Sequence, residues 1–273
     1  MKYYILFYMH LTTVLANLSA SDRLISLGSP VTETIIALGA ANALVGIDDS
    51  SQQPQETSPL PTVGYYRMLS AEGVLSLRPS LILSTEDAGP PAAIQKIKRT
   101  QIPFITLTSE KSLEAAVKRF QVIGEALNKQ AEADILAQPL LERIAHPLPP
   151  LDPAPHVLFI YARGSGAPNV SGSGTAADEM IRLAGATNAV TEFNGYRPLT
   201  PEALVTASPT VILMTTHGLA AMGGEQGLWS LPGITSTPAG KNKNLVIMDD
   251  APLLGFGPQV VDAIDQLRNA LDN

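Results

Sequence analysis

The grouping with the most distinctive chemistry is Gly64-Tyr65-Tyr66-Arg67. A tyrosine phenolate is a hard anionic oxygen donor that suits ferric iron, and tyrosine is an axial ligand in some haem proteins. Its ordinary pKa of about 10 means that ionisation needs help from a metal and a nearby cation. Arg67 lies two residues beyond Tyr65, so in an extended segment the two share a face. Tyr66 is the competing donor, and the plainer alternative makes both rings ordinary loop aromatics.

Other candidates are thinner. Of the four histidines, His10 falls in the apolar leader, and only His217 lies just after a predicted strand, Val211–Met214. Open α/β sheets present ligand groups at that place; the alternative is a partly exposed loop residue. Scattered histidines without a cysteine or a short His spacing argue against a dedicated zinc site. The glycine-rich stretch RGSGAPNVSGSGT at 163–175 has neither Gly-Lys-Ser/Thr nor an intact G-x-G-x-x-G. It reads as a ligand-contacting or flexible loop rather than a phosphate cradle. No G-x-S-x-G nucleophile elbow occurs, and the carboxylates show no acid/base pairing.

The elements that must position these residues come as a degenerate repeat. Residues 195–213, GYRPLTPEALVTASPTVIL, align without a gap on 65–83 at an offset of 130. Tyr66 meets Tyr196, Arg67 meets Arg197, Ser70 meets Thr200, Glu72 meets Glu202 and Pro79 meets Pro209. Internal similarity of this kind reports a duplicated structural unit, here two related halves around a cleft. Within each unit Ser70 or Thr200 caps a short helix, with Glu72 or Glu202 in its positive first turn. A proline stops the helix, and an apolar run follows as a buried parallel strand. Helix capping alone accounts for the two glutamates; an exposed acid kept in both halves also suits docking to a basic partner.

At 273 residues the chain is long enough for two small domains, and 45% hydrophobic against 16% charged residues implies a sizeable core. A formal charge of −7 and the lack of a Lys/Arg cluster argue against nucleic-acid binding. Without cysteines there is no disulfide, thiolate metal site or thiol nucleophile. Residues 1–20 read as a secretory signal: Lys2, an apolar stretch to Leu15, then small residues. Residues 21–110 then form an N-terminal α/β lobe, with strands at Leu24–Leu27, Leu44–Ile47, Leu81–Leu83 and Phe104–Leu107. Ser29 is its first helix cap and Gly39 that helix's end. Apolar residues at helical spacing predict one linking helix within 111–147, about 39 Å long over 112–137 and kinked at Pro139. The proline-rich HPLPPLDPAP marks the boundary to a C-terminal lobe, 148–273, with a glycine-rich loop around Trp229. The expected fold is therefore α/β: two Rossmann-like lobes joined by a single long helix, with the ligand cleft between them.

The chain resembles the periplasmic haem-binding proteins that serve ABC-type haem importers, within the helical-backbone class of solute-binding proteins. The resemblance covers the whole chain after the leader. It is strongest at GYYRMLSAEGVLSLRP, with support from GTAADEMIRLAGATNA, GLWSLPGITSTPAG and LLGFGP. The family pattern Gly-Tyr-x-Arg-x-Leu-Ser-Ala-Glu-Gly falls on Gly64–Gly73. The resemblance thus implies Tyr65 as haem-iron ligand and Arg67 as its hydrogen-bond partner, with Tyr66 the rival ligand. It implies Glu72 and Glu202 as contacts to arginines of an inner-membrane ABC permease. Haem is then transported cargo rather than a catalytic cofactor. The protein is expected to be a non-enzymatic, monomeric carrier in the periplasm, and ferric siderophore or cobalamin is the alternative ligand. Some members add an axial histidine from the loop after the first strand of the second lobe. Here that loop has none, which leaves Arg163, Asn169 and His217 as candidate supports of the haem site.

Overall fold

The computed structural model describes residues 23–51, 59–164 and 166–272, and the leader read at 1–20 lies outside them. The N-terminal lobe runs β1 (Leu24–Leu27), α1 (Ser29–Ala37), β2 (Leu44–Ile47), α2 (Ala71–Ser76), β3 (Leu81–Thr85), α3 (Pro91–Lys98) and β4 (Phe104–Leu107). Its strands pair in the order β2-β1-β3-β4, all parallel. Alternate residues of a strand point to opposite faces. Leu24, Leu81 and Leu83 accordingly join one apolar cluster, while Ile25, Leu27 and Ile82 join another across the sheet. Helices over both faces explain why β1 and β3 are buried along their whole length.

Two helices follow, α4 (Leu113–Ala126) and α5 (Gln130–Ala145), where the sequence predicts one. Asn128 takes a left-handed φ of 54°, and Lys129 N–H bonds back to the Gly124 carbonyl at 2.7 Å, so the first helix ends there. The chain then folds back. Gly124 lies so close to Ala133 that a Cβ on it would meet that side chain at 2.5 Å. The periodicity hides this break because apolar residues continue at helical spacing on both sides of it, although one of them, Ile135, is 72% exposed. Pro139 sits inside α5 without ending it. The resulting hairpin still bridges the lobes: Ile123, Leu127 and Ala133 pack into the N-terminal core, and Leu113, Phe120, Ala137 and Leu140 into the C-terminal one. Buried Arg119 adds a tie, donating to the carbonyls of Thr108 (3.3 Å) and Glu110 (3.1 Å) and across to Phe256 (2.7 Å).

The C-terminal lobe contains β5 (His156–Tyr161), β6 (Asn169–Ser171), α6 (Ala176–Leu183), β7 (Thr187–Asn188), β8 (Tyr196–Pro198), α7 (Pro201–Ala207) and β9 (Val211–Thr215). It continues with α8 (Thr216–Ala221), α9 (Gly224–Trp229), α10 (Pro238–Asn242), β10 (Leu245–Met248), α11 (Asp250–Leu254) and α12 (Val260–Leu271). Its parallel strands pair as β7-β5-β9-β10, the order of the first lobe again. Strands β6 and β8 extend the sheet in antiparallel fashion from the C-terminal end of β5. Three local expectations change. Gly28, with φ 107°, caps α1, while Ser29 lies inside the helix and donates to Glu33. The stretch 163–175 contains β6. Of the glycines near Trp229, Gly224 and Gly227 lie in α9 while Gly223 and Gly233 stay in turns; Gly227 lets its backbone pass against the Met222 carbonyl, where any side chain would collide.

Candidate functional site

The tyrosine segment is a turn pinned to the end of β3. Met68 N–H bonds to the Tyr65 carbonyl (2.7 Å), Gly89 N–H to the Tyr66 carbonyl (2.9 Å) and Leu69 N–H to the Gly89 carbonyl (2.7 Å). These bonds hold the turn beside Asp87. Tyr66 packs on the cluster of Ile25, Leu27, Leu69 and Val74, and its ring meets Tyr65 edge-on at 5.0 Å. The Tyr66 hydroxyl donates to Asp87 Oδ2 at 3.2 Å, and the Arg67 guanidinium forms an ion pair with the same oxygen. The other arm of Arg67, Nη1, donates to the Tyr65 oxygen at 3.2 Å. From the opposite lobe, the Arg163 guanidinium stands 5.4 Å from the Tyr65 ring centre.

The two phenols therefore sit in different surroundings. Burial, then the Asp87 charge, pushes Tyr66 far above the usual tyrosine value, so it stays a neutral donor. Burial disfavours charge on Asp87 and Arg67 as well. Their mutual hydrogen bond and attraction outweigh it, holding the carboxyl below its normal range and the guanidinium above its own. The Tyr65 oxygen accepts a hydrogen bond from a cation, an arrangement that suits a phenolate giving a lone pair to a metal.

Lys111, half-buried where β4 leads into α4, is lowered to about 8 by burial and then by the Arg119 charge. On the far side, Tyr161 at the end of β5 and Tyr196 on β8 meet in a tilted contact, ring centres 5.5 Å apart. Burial, then Tyr161, raises the Tyr196 hydroxyl, and the charge of Arg67 in the other lobe opposes the rise. The fold thus brings Tyr65, Tyr66, Arg67 and Arg163 together. Asn169 is in β6 opposite Tyr161, and its amide turns back to the Ala167 carbonyl. His217 opens α8, exposed, with Nδ1 at 2.8 Å from Asp250 Oδ2. Glu72 and Glu202 lie exposed in the first turns of α2 and α7, behind the caps Ser70 and Thr200. Lys96 pairs with Glu72 and, with the carboxylate's own backbone N–H next in weight, holds it near 2. Among the described residues no cluster of His, Asp and Glu could hold a metal ion.

Asp87, Lys111, Tyr161 and Tyr196 are the site residues that sequence reasoning missed. One signal was present: the repeat offset of 130 pairs Asp87 with His217.

Two lobes of one parallel-sheet topology, bridged by helices, face each other at the ends of their strands, the place where such sheets take a ligand. Residues 24–252 match the periplasmic binding protein family, and the chain belongs to it. Among solved structures it is similar to the periplasmic heme-binding protein RhuT from Roseiflexus sp. RS-1 in apo form, with a TM-score of 0.85 and 37% identity over 92% of this chain and 98% of that one. It is also similar to the periplasmic heme-binding protein BhuT in complex with two hemes, with a TM-score of 0.83 and 38% identity over 92% and 97%. Sequence relatives include the uncharacterized ABC transporter substrate-binding lipoprotein YvrC of Bacillus subtilis, 25% identical over 91% of this chain and 79% of that protein. The vitamin B12-binding protein of Vibrio parahaemolyticus is 22% identical over 77% and 74%.

Proposed function

We propose that this protein is a non-enzymatic periplasmic carrier that captures haem between its lobes and delivers it to an inner-membrane ABC permease. The observation that carries the reading is the Tyr65 oxygen at the cleft, taking a hydrogen bond from Arg67 with Arg163 over its ring. Ferric iron would take Tyr65 as ligand. Arg67 would stabilise the anionic oxygen, and Arg163, with half-buried Lys111 between β4 and α4, would offset the porphyrin's carboxylates. Asn169 and His217, both in the second lobe, are assigned supporting contacts only. The similarity to heme-binding structures at 37–38% identity over more than nine-tenths of the chain supports haem over cobalamin, whose binding proteins share only 22%.

For delivery, Glu72 and Glu202 would meet arginines of the permease, one from each lobe. Glu72 must then exchange Lys96 for its new partner, an exposed pair that is cheap to break. Residues 1–20 would direct export and be removed, leaving a monomer. The test is a visible-spectrum titration of the purified protein with ferric haem beside cobalamin. Saturable binding of haem alone, with a tyrosinate-type high-spin spectrum, is the expected result. Saturable cobalamin binding without haem binding would replace this reading.

A further inference from the structure

Two adjacent tyrosines border one cleft, so something must decide which phenol oxygen a ligand meets. Asp87 Oδ2 takes the Tyr66 hydroxyl at 3.2 Å and the Arg67 guanidinium together, while Arg67 Nη1 reaches the Tyr65 oxygen at 3.2 Å. We propose that Asp87 is the positioning residue of this site: it ties back Tyr66 and aims Arg67 at Tyr65, so that Tyr65 alone offers a free phenol oxygen to iron. The proposal rests on the haem reading above.

The geometry is suited to that task. Asp87 stands on the turn after β3, and the backbone bonds Gly89–Tyr66 and Leu69–Gly89 lock this turn to the tyrosine segment. Carboxylate and phenols are thus held in one frame. A guanidinium is a planar fork, so engaging one arm fixes the direction of the other. The Arg67 side chain is 51% exposed and Asp87 is its one charged partner among the described residues. Without it only the Tyr65 oxygen and the face of the Tyr66 ring, at 5.0 Å, would hold the guanidinium, leaving more rotamers open. The second lobe provides an internal contrast. Its counterpart of Asp87 is His217, which bonds Asp250 rather than an arginine, and its counterpart of Tyr65 is Gly195. Among the described residues this carboxylate–arginine–tyrosine link is found in the first lobe, where Tyr65 stands in place of Gly195.

Four proteins test it: wild type, Tyr65→Phe, Tyr65→Phe/Asp87→Ala and that double variant with Tyr66→Phe added. Each is titrated with ferric haem and read by its visible spectrum. The expected pattern is a tyrosinate-type complex in wild type, its loss in Tyr65→Phe, its return in the double variant through released Tyr66, and its loss again in the triple. A tyrosinate spectrum retained by Tyr65→Phe alone, or no return in the double variant, overturns the proposal. A purely structural role for Asp87 would not restore a ligand. A second readout needs no haem: the Arg67 guanidinium NMR signals of the ligand-free protein should be resolved in wild type and averaged in Asp87→Ala. Unchanged Arg67 signals defeat the positioning role. A wild type that takes up no haem, with Arg67 behaving as expected, instead defeats the haem reading beneath it.

Discussion

Residues 70–85 of the first lobe and 200–215 of the second are one structure built twice. Ser70 and Thr200 each cap a short helix through the backbone N–H three residues on. Arg78 and Ser208 take left-handed φ values of 48° and 44° just before Pro79 and Pro209, and β3 and β9 then occupy the same interior place in their sheets. Just upstream the copies part. Tyr65-Tyr66-Arg67 is a turn wired to Asp87, whereas Gly195-Tyr196-Arg197 runs into edge strand β8, with Arg197 over the Phe193 ring at 4.5 Å. The segments kept alike are those bound by burial and backbone bonding. Those that diverged lie at the strand ends, where side chains face the cleft and few packing constraints apply. On the proposed reading, iron would be bound from one lobe only of this repeated frame.

That comparison can be pressed at several points. Leu83 and Leu213 are equivalent and fully buried, so Leu83→Ala and Leu213→Ala should each cost about 2–5 kcal/mol in urea unfolding. A large cost in one lobe only would break the structural equivalence. For ligand binding the equivalents should differ. Arg67→Ala should weaken haem binding by about 10–100-fold, as for other groups that orient a metal ligand. Arg197→Ala should leave the affinity unchanged, and equal losses would contradict a one-lobe site.

The exits of the edge strands sharpen the contrast further, since Lys111 follows β4 where Asp249 and Asp250 follow β10. Burial and Arg119 bring Lys111 down from 10.5 to about 8, so the folded chain releases this proton before the unfolded chain does. Between those two values the unfolded state holds more protons, and this group's contribution to stability rises with pH. Below about pH 8 the cost of the buried ammonium is present in full. Lys111→Met should therefore stabilise the protein most at neutral pH and less at pH 10, as read by denaturant midpoints. The reverse trend would show that Lys111 is stabilised as a cation.

Much of this was visible in the residues themselves. The mainly apolar runs at Leu24–Leu27, Leu44–Ile47 and Phe104–Leu107 are strands, β1 buried along its whole length and edge strand β4 only in part. The repeat located the caps, the proline stops and β3 and β9. Less legible was anything fixed by a single backbone angle or by tertiary contact. The hairpin of α4 and α5 turns on Asn128, a residue whose type permits a left-handed conformation without demanding it. Strands β6 and β8 are three residues each and carry Asn, Ser and Pro, so no alternation marks them. The tyrosine motif was readable, but the partner that distinguishes its two phenols, Asp87, lies twenty residues past Arg67 and meets it only through the fold.

The most direct measurement compares the lobes at their tyrosines. Ferric haem is titrated into Tyr65→Phe and Tyr196→Phe, and the visible spectrum is followed to saturation. The account predicts that Tyr65→Phe loses the tyrosinate-type spectrum while Tyr196→Phe keeps it. Loss of that spectrum in Tyr196→Phe with retention in Tyr65→Phe would place the iron ligand in the wrong lobe and contradict the account.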